Sequence, residues 1–125
     1  MKIFELANIE RHQLSSQNGE DLYSVARSIN GALDISSLLI HYEELAPGNY
    51  SAKPHSHTKK DEVFFITKGT GRLIVNNKEL DLAEGSVVGF KGEDEEVHVI
   101  YNNSNKTLSF ISIATNPRDD IVNYK

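Results

Sequence analysis

Apolar and polar positions alternate along most of this chain with a period of two, the spacing of a strand whose successive side chains point to opposite faces. Between Ile35 and Leu45, Leu38, Ile40 and Tyr42 share one face, and Leu39, His41 and Glu43 share the other. From Glu62 to Thr67 the chain is rich in Val, Phe and Ile, with Glu62, Phe64 and Ile66 in phase. From Val97 to Tyr101, His98 and Ile100 fall in phase with Asn102, opposite Val97, Val99 and Tyr101. Leu108 to Ala114 is apolar on both faces, which predicts a central strand. Leu22 to Ile29 also alternates, with Tyr23, Val25 and Ile29 on one face and smaller residues opposite.

Turn signals separate these runs. Ser15 to Asp21 is polar and carries Gly19, Asn30-Gly31 predicts a hairpin turn, and Pro47-Gly48 ends a strand. Asn76-Asn77 predicts a two-residue hairpin between Arg72–Val75 and Lys78–Leu82. Gly85 precedes a short strand, Ser86 to Phe90, and an acidic loop, Lys91 to Glu96, follows it. Lys2 to Arg11 is too short for its periodicity to choose between a strand and a helical turn. Residues 1–21 are expected as an N-terminal strand or arm, and residues 116–125 as a C-terminal arm. In the latter, the Arg118–Lys125 stretch, polar with an apolar pair at Ile121 and Val122, could dock as a final strand or arm. No segment of ordinary length has helical period. Short strands at such spacing predict an all-β sandwich or barrel.

Composition narrows the options. The 125 residues suit one domain spanning 1–125, able to bury roughly two thirds of the surface its unfolded form exposes. With 13 Lys plus Arg against 18 Asp plus Glu and no long block of either sign, the basic face that nucleic acid demands is missing. No apolar run approaches the ~20 residues of a membrane span. A cytoplasmic protein is expected. The chain has no cysteine, so disulfides, thiolate ligands and cysteine nucleophiles are excluded, and any metal must bind through nitrogen and oxygen.

One stretch concentrates the candidate chemistry. His55 and His57 lie two apart, so in an extended segment both imidazoles project the same way from alpha carbons roughly 6.5 Å apart. Pro54 favours that geometry by restricting the backbone just before them. Two imidazoles placed so can share a metal ion, and Asp61 and Glu62 both lie within ligand reach by count. His12 and His41 have no spacing partner and read as non-ligands. Lys53, Lys59 and Lys60 lie near the site and could attract an anionic substrate, and the reading as ordinary surface lysines is at least as good.

The stretches Gly48–Gly69 and Gly85–Asn102 resemble the two signature motifs of the cupin superfamily, whose small members are called conserved-barrel cupins. In the first motif, His55-Ser-His57, four residues, Glu62, six residues and Gly69 fit fully, while the gap from Gly48 to His55 is six residues where the family has five. In the second, Gly85, His98 and the three-residue gap to Asn102 fit. Lys91 stands in place of the proline, the glycine moves to Gly92, and His98 arrives two residues late. The resemblance covers about the last three fifths of the chain. It implies a jelly-roll, or double-stranded β-helix, barrel. It also implies one divalent transition metal held by His55, His57, Glu62 and His98, preferring Glu62 over Asp61 through the spacing to Gly69.

Three imidazoles and a carboxylate suit Fe, Mn, Ni, Zn or Cu alike and leave one or two coordination positions open. Phe64, Ile66 and Ile100, in phase with the proposed ligands, are candidate cavity-lining residues. The expected function is a small metalloenzyme acting on a small polar molecule by oxygenase, isomerase or lyase chemistry. The alternative is a cupin module that binds or senses a small ligand without turning it over. Open sheet edges make a homodimer the expected assembly.

Overall fold

A computed structural model describes residues 1–125. Two antiparallel sheets face each other across the core, joined by turns rather than closed into one continuous hydrogen-bonded cylinder. The six-stranded sheet runs β1 (Arg11–Ser15), β2 (Leu22–Ser28), β3 (Leu38–Leu45), β10 (Leu108–Thr115), β5 (Glu62–Lys68) and β8 (Val87–Phe90) in spatial order. The five-stranded sheet runs β11 (Val122–Tyr124), β4 (His55–His57), β9 (His98–Tyr101), β6 (Thr70–Val75) and β7 (Lys78–Ala83). This is the all-β sandwich expected from the alternation, in the jelly-roll form that the resemblance implied.

The inner faces follow the periodicity. Glu62, Phe64 and Ile66 point inward from β5, and Leu45, Leu108 and Phe110 meet them to make a core of nine buried apolar residues that also includes Leu73, Leu82, Phe90 and Ile100. Leu108 to Thr115 is the central strand, paired with β3 on one side and β5 on the other. The Asn76-Asn77 hairpin forms as expected, with φ of 49° and 68° and Val75 opposite Lys78.

Asn30-Gly31 behaves differently from the expectation. Instead of a two-residue hairpin it lies inside a one-turn helix, α1 (Ile29–Ala32), whose N-cap Ser28 accepts from the Gly31 N–H. The Asn30 side chain is buried and reaches the backbone of Ile35 and Ile40, so it ties down the connection to β3 rather than turning the chain back. Near the N-terminus a 3-10 turn spans Leu6–Asn8 and β1 begins only at Arg11. The inward face of β2 is its small one, Ser24 and Ala26, and Tyr23 and Val25 are half-buried on the other side.

Asn102 locks the far end of the sandwich. It is 0% exposed, its amide donates to the Leu45 and Lys106 carbonyls at 2.8 and 2.7 Å, and its oxygen accepts from Ser104 N–H and Oγ. Truncation would remove the amide donor from the Leu45 carbonyl and leave the Lys106 carbonyl with Ser104 Oγ alone, so Asn102→Ala is expected to lose about 2–4 kcal/mol of stability. Denaturant unfolding of the two proteins checks this, and an unchanged midpoint would contradict it.

Candidate metal centre

Strand register brings the histidines together. His55 on β4 lies directly opposite His98 on β9, and opposed residues of antiparallel strands share a face. The ligating atoms of His55, Glu62 and His98 all lie within 4.8 Å of one another. His57 sits beside this trio: its Nε2 is 3.1 Å from Glu62 Oε1, the same oxygen that His98 Nε2 approaches at 3.0 Å. One carboxylate oxygen is therefore the meeting point of two imidazoles, and the His55 ring packs 4.9 and 5.0 Å from those of His57 and His98.

Each imidazole is held by its other nitrogen. His55 Nδ1 donates to the Lys53 carbonyl at 2.7 Å, His98 Nδ1 to the Glu96 carbonyl at 2.8 Å, and His57 Nδ1 to Asp120 Oδ2 at 2.8 Å. Such bonds fix the tautomer and leave Nε2 of each ring for a metal. Asp120 escaped the sequence reading because it lies 63 residues from His57 in a polar tail. The tail reaches the site because β11 pairs with β4, Val122 opposite His57 and Tyr124 opposite His55. Asp120 Oδ1 also accepts from Lys59 and Lys60 N–H at 2.8 Å each, which fixes the carboxylate's orientation.

The lengthened loop delivers His98 by a specific contact. Gly92 lies against the Lys59–Lys60 backbone so closely that a Cβ would come within 2.3 Å of the Lys59 carbonyl carbon. Its N–H donates to Asp61 Oδ1 at 3.0 Å. Asp61 thus anchors the loop while Glu62 faces the cluster, the assignment that the motif spacing implied. Gly92→Ala is expected to push the loop off this seat and weaken metal binding at least tenfold, measured by chelator competition; unchanged affinity would contradict it.

The electrostatics suit a cation. Burial alone would push the Glu62 carboxyl up, but hydrogen bonds from His57 and His98 together with their charges reverse this and hold it ionised, well below the usual range. His57 is raised, first by its hydrogen bond to Glu62 and then, against burial, by Asp120. His55 is lowered by burial and so stays neutral.

Phe64, Ile66 and Ile100 belong to the packed core, and of these Phe64 has its ring centroid 6.0 Å from that of His98. Phe90 stacks on the His98 ring at 4.0 Å and 10° between planes. His12 and His41 lie outside the trio that could hold an ion, and no helix is long and apolar enough to cross a membrane.

A family model for the cupin domain matches residues 41–114, more than half of the chain and both motif stretches. The chain belongs to the cupin family. Solved cupin structures superpose on it closely. A sugar phosphate isomerase from Silicibacter pomeroyi DSS-3, 21% identical, aligns over 99% of this chain and 82% of its own with a TM-score of 0.88. A protein from Acidithiobacillus ferrooxidans, provisionally assigned as a sugar phosphate isomerase, is 26% identical over 94% of this cupin and 73% of its own length, with a TM-score of 0.83. A predicted oxalate decarboxylase from Thermotoga maritima, 21% identical, aligns over 93% of this chain and all of its own with a TM-score of 0.77. Among curated protein sequences nothing matches the chain.

Proposed function

We propose that this cupin is a metal-dependent enzyme that binds one divalent transition metal through His55, His57, Glu62 and His98 and acts on a small hydroxy-carbonyl compound. The observation that carries this reading is the convergence of imidazole nitrogens on one ionised, half-buried carboxylate, each ring pinned by its far nitrogen. The donor set, three neutral nitrogens and one oxygen anion, fits Fe, Mn, Ni, Zn or Cu. A metal so held polarises a carbonyl or acidifies bound water. The chain's own residues supply the orientation: Lys53, Glu96 and Asp120 hold the rings, and Phe64 and Phe90 shield the His98 side of the cluster from water.

Isomerase-type chemistry on a hydroxy-carbonyl substrate is supported by the 26% identical relative, the one neighbour described above with more than a fold-level likeness. An isomerase working through an enediol labilises the proton beside the carbonyl, whereas one working by hydride shift moves that hydrogen between the two carbons. The test is solvent-deuterium exchange, followed by NMR, with metal-loaded protein and D-ribose 5-phosphate or D-fructose 6-phosphate. Exchange with the wild type and none with His98→Ala is expected. Saturable sugar binding with neither exchange nor isomerised product in the spectra would overturn catalysis and favour a binding module.

Because ligating imidazoles must lose their protons, metal uptake should release protons and weaken as pH falls below ~6.5. The raised His57 sharpens this, since its proton is held by Glu62 and Asp120 and must be displaced. Chelator competition between pH 5.5 and 8 measures it; a flat response would argue against histidine ligation.

A further inference from the structure

Apart from Glu62 of the metal cluster, the inward face of the six-stranded sheet is apolar except at one place. Across three neighbouring strands, β2, β3 and β10, it presents Ser24, Ser28, His41, Glu43 and Ser112 instead of core residues. Glu43 lies at the centre, 7% exposed, with no cationic partner. Its carboxylate accepts from Ser24 Oγ on one oxygen and from Ser112 Oγ at 2.9 Å on the other. Burying an ionisable carboxyl among apolar neighbours costs stability, and two hydroxyls offset only part of it. Such a group persists against that cost where it serves a ligand.

The polar patch also faces the metal cluster. On β10, Ala114 stands opposite Glu62, so Ser112 is the diagonal neighbour of Glu62, with alpha carbons roughly 7–8 Å apart. Glu43 is near enough for the Glu62 charge to act on it. Ser112 stands opposite His41 and Phe64 and keeps partial exposure, although Phe110, in phase with it on β10, is fully buried and Ala114 nearly so. His41 is likewise half-buried. Ser112 and His41 are thus inward-phased residues of β10 and β3 that keep partial exposure beside buried neighbours. Because the Ser112 hydroxyl gives its proton to Glu43, its lone pairs face the interior as a polarised acceptor.

We propose that Ser112, backed by Glu43 and flanked by His41, is a second binding site inside the barrel that accepts a hydroxyl of a polyhydroxy-carbonyl ligand whose carbonyl end lies at the metal cluster. Ser112 touches the ligand and Glu43 is a positioning residue that acts through it. Burial raises the Glu43 carboxyl, the Ser24 and Ser112 hydroxyls oppose this, and the Glu62 charge adds to it. A raised native pKa contributes stability below the unfolded value and loses it as pH rises through the native one. At neutral pH, then, Glu43→Gln should raise the melting temperature.

The identity of the ligand rests on the proposed function, so the experiment separates the two. Calorimetry with D-ribose 5-phosphate and with acetol phosphate, which has a carbonyl and a phosphate but no hydroxyl, is run on cobalt-loaded and metal-free protein. The wild type is compared with Ser112→Ala, Glu43→Gln and Ser24→Ala. Ser112→Ala should weaken ribose 5-phosphate about tenfold, and Glu43→Gln should weaken it while raising the melting temperature. Neither should change acetol phosphate or cobalt affinity. Ser24→Ala removes the other, fully buried hydroxyl and should leave sugar affinity unchanged, whereas a purely structural role for Glu43 would make the two serines equivalent. Cobalt-loaded wild type that binds no ribose 5-phosphate, or variants that bind it as the wild type does, overturn the proposal. Failure to load cobalt overturns the metal reading, and ribose 5-phosphate binding to the metal-free proteins then decides the inner wall by itself.

Discussion

His98→Ala is expected to lower metal affinity by more than a hundredfold, beyond the roughly 10–100-fold that follows loss of an outer partner. His98 is 3% exposed, lies opposite His55 across two hydrogen-bonded strands, and shares the Glu62 oxygen with His57. Removing it deletes a donor and leaves the half-buried Glu62 carboxylate with one imidazole fewer. The variant should still fold, because the nine-residue apolar core includes none of the histidines. Circular dichroism would then be native while metal content falls to background. Wild-type metal content in the folded variant would show that His98 is a core histidine and no ligand.

The second large effect is expected at Asp120. Asp120→Ala should weaken metal binding about 10–100-fold, because His57 loses the partner that fixes its tautomer and ring plane. The same change frees the Lys59 and Lys60 N–H groups that hold the loop between β4 and β5. Its neighbour Asp119 is the control: it is exposed, pairs only with Lys59, and Asp119→Ala should leave affinity unchanged. Asp120→Asn should fall between wild type and Asp120→Ala, since its one amide oxygen can accept from His57 or from the Lys59 and Lys60 N–H groups but not from both sides. Affinity for metal, measured by chelator competition on all three, decides it. Equal affinity for Asp119→Ala and Asp120→Ala would show that the tail merely covers β4.

Those two residues also show what was legible in the chain. His98 was found because motif spacing survives a two-residue insertion: the extra length is absorbed in the acidic loop, and Gly92 still seats that loop against Lys59 and Lys60. Strand phase placed Glu62, Phe64, Ile66 and Ile100 correctly on inner faces, because burial on one side of a sheet enforces a period of two. The pairing of β11 with β4 was beyond that logic. It depends on a contact across 63 residues, and nothing in a local pattern marks Asp120 as the partner of a histidine. Asn30-Gly31 misled for a related reason: the hairpin preference of the pair yields to an Asn side chain with tertiary partners at Ile35 and Ile40. Glu43 was visible as an alternating position, but not as a buried acid, because its two serine partners come from other strands.

The central claim, that His55, His57, Glu62 and His98 together hold one metal ion, is tested most directly by equilibrium metal titration of tag-free wild-type protein against a competing chelator. One equivalent per chain, bound with proton release, is the predicted result. No saturable binding of Fe, Mn, Ni, Zn or Cu would contradict it.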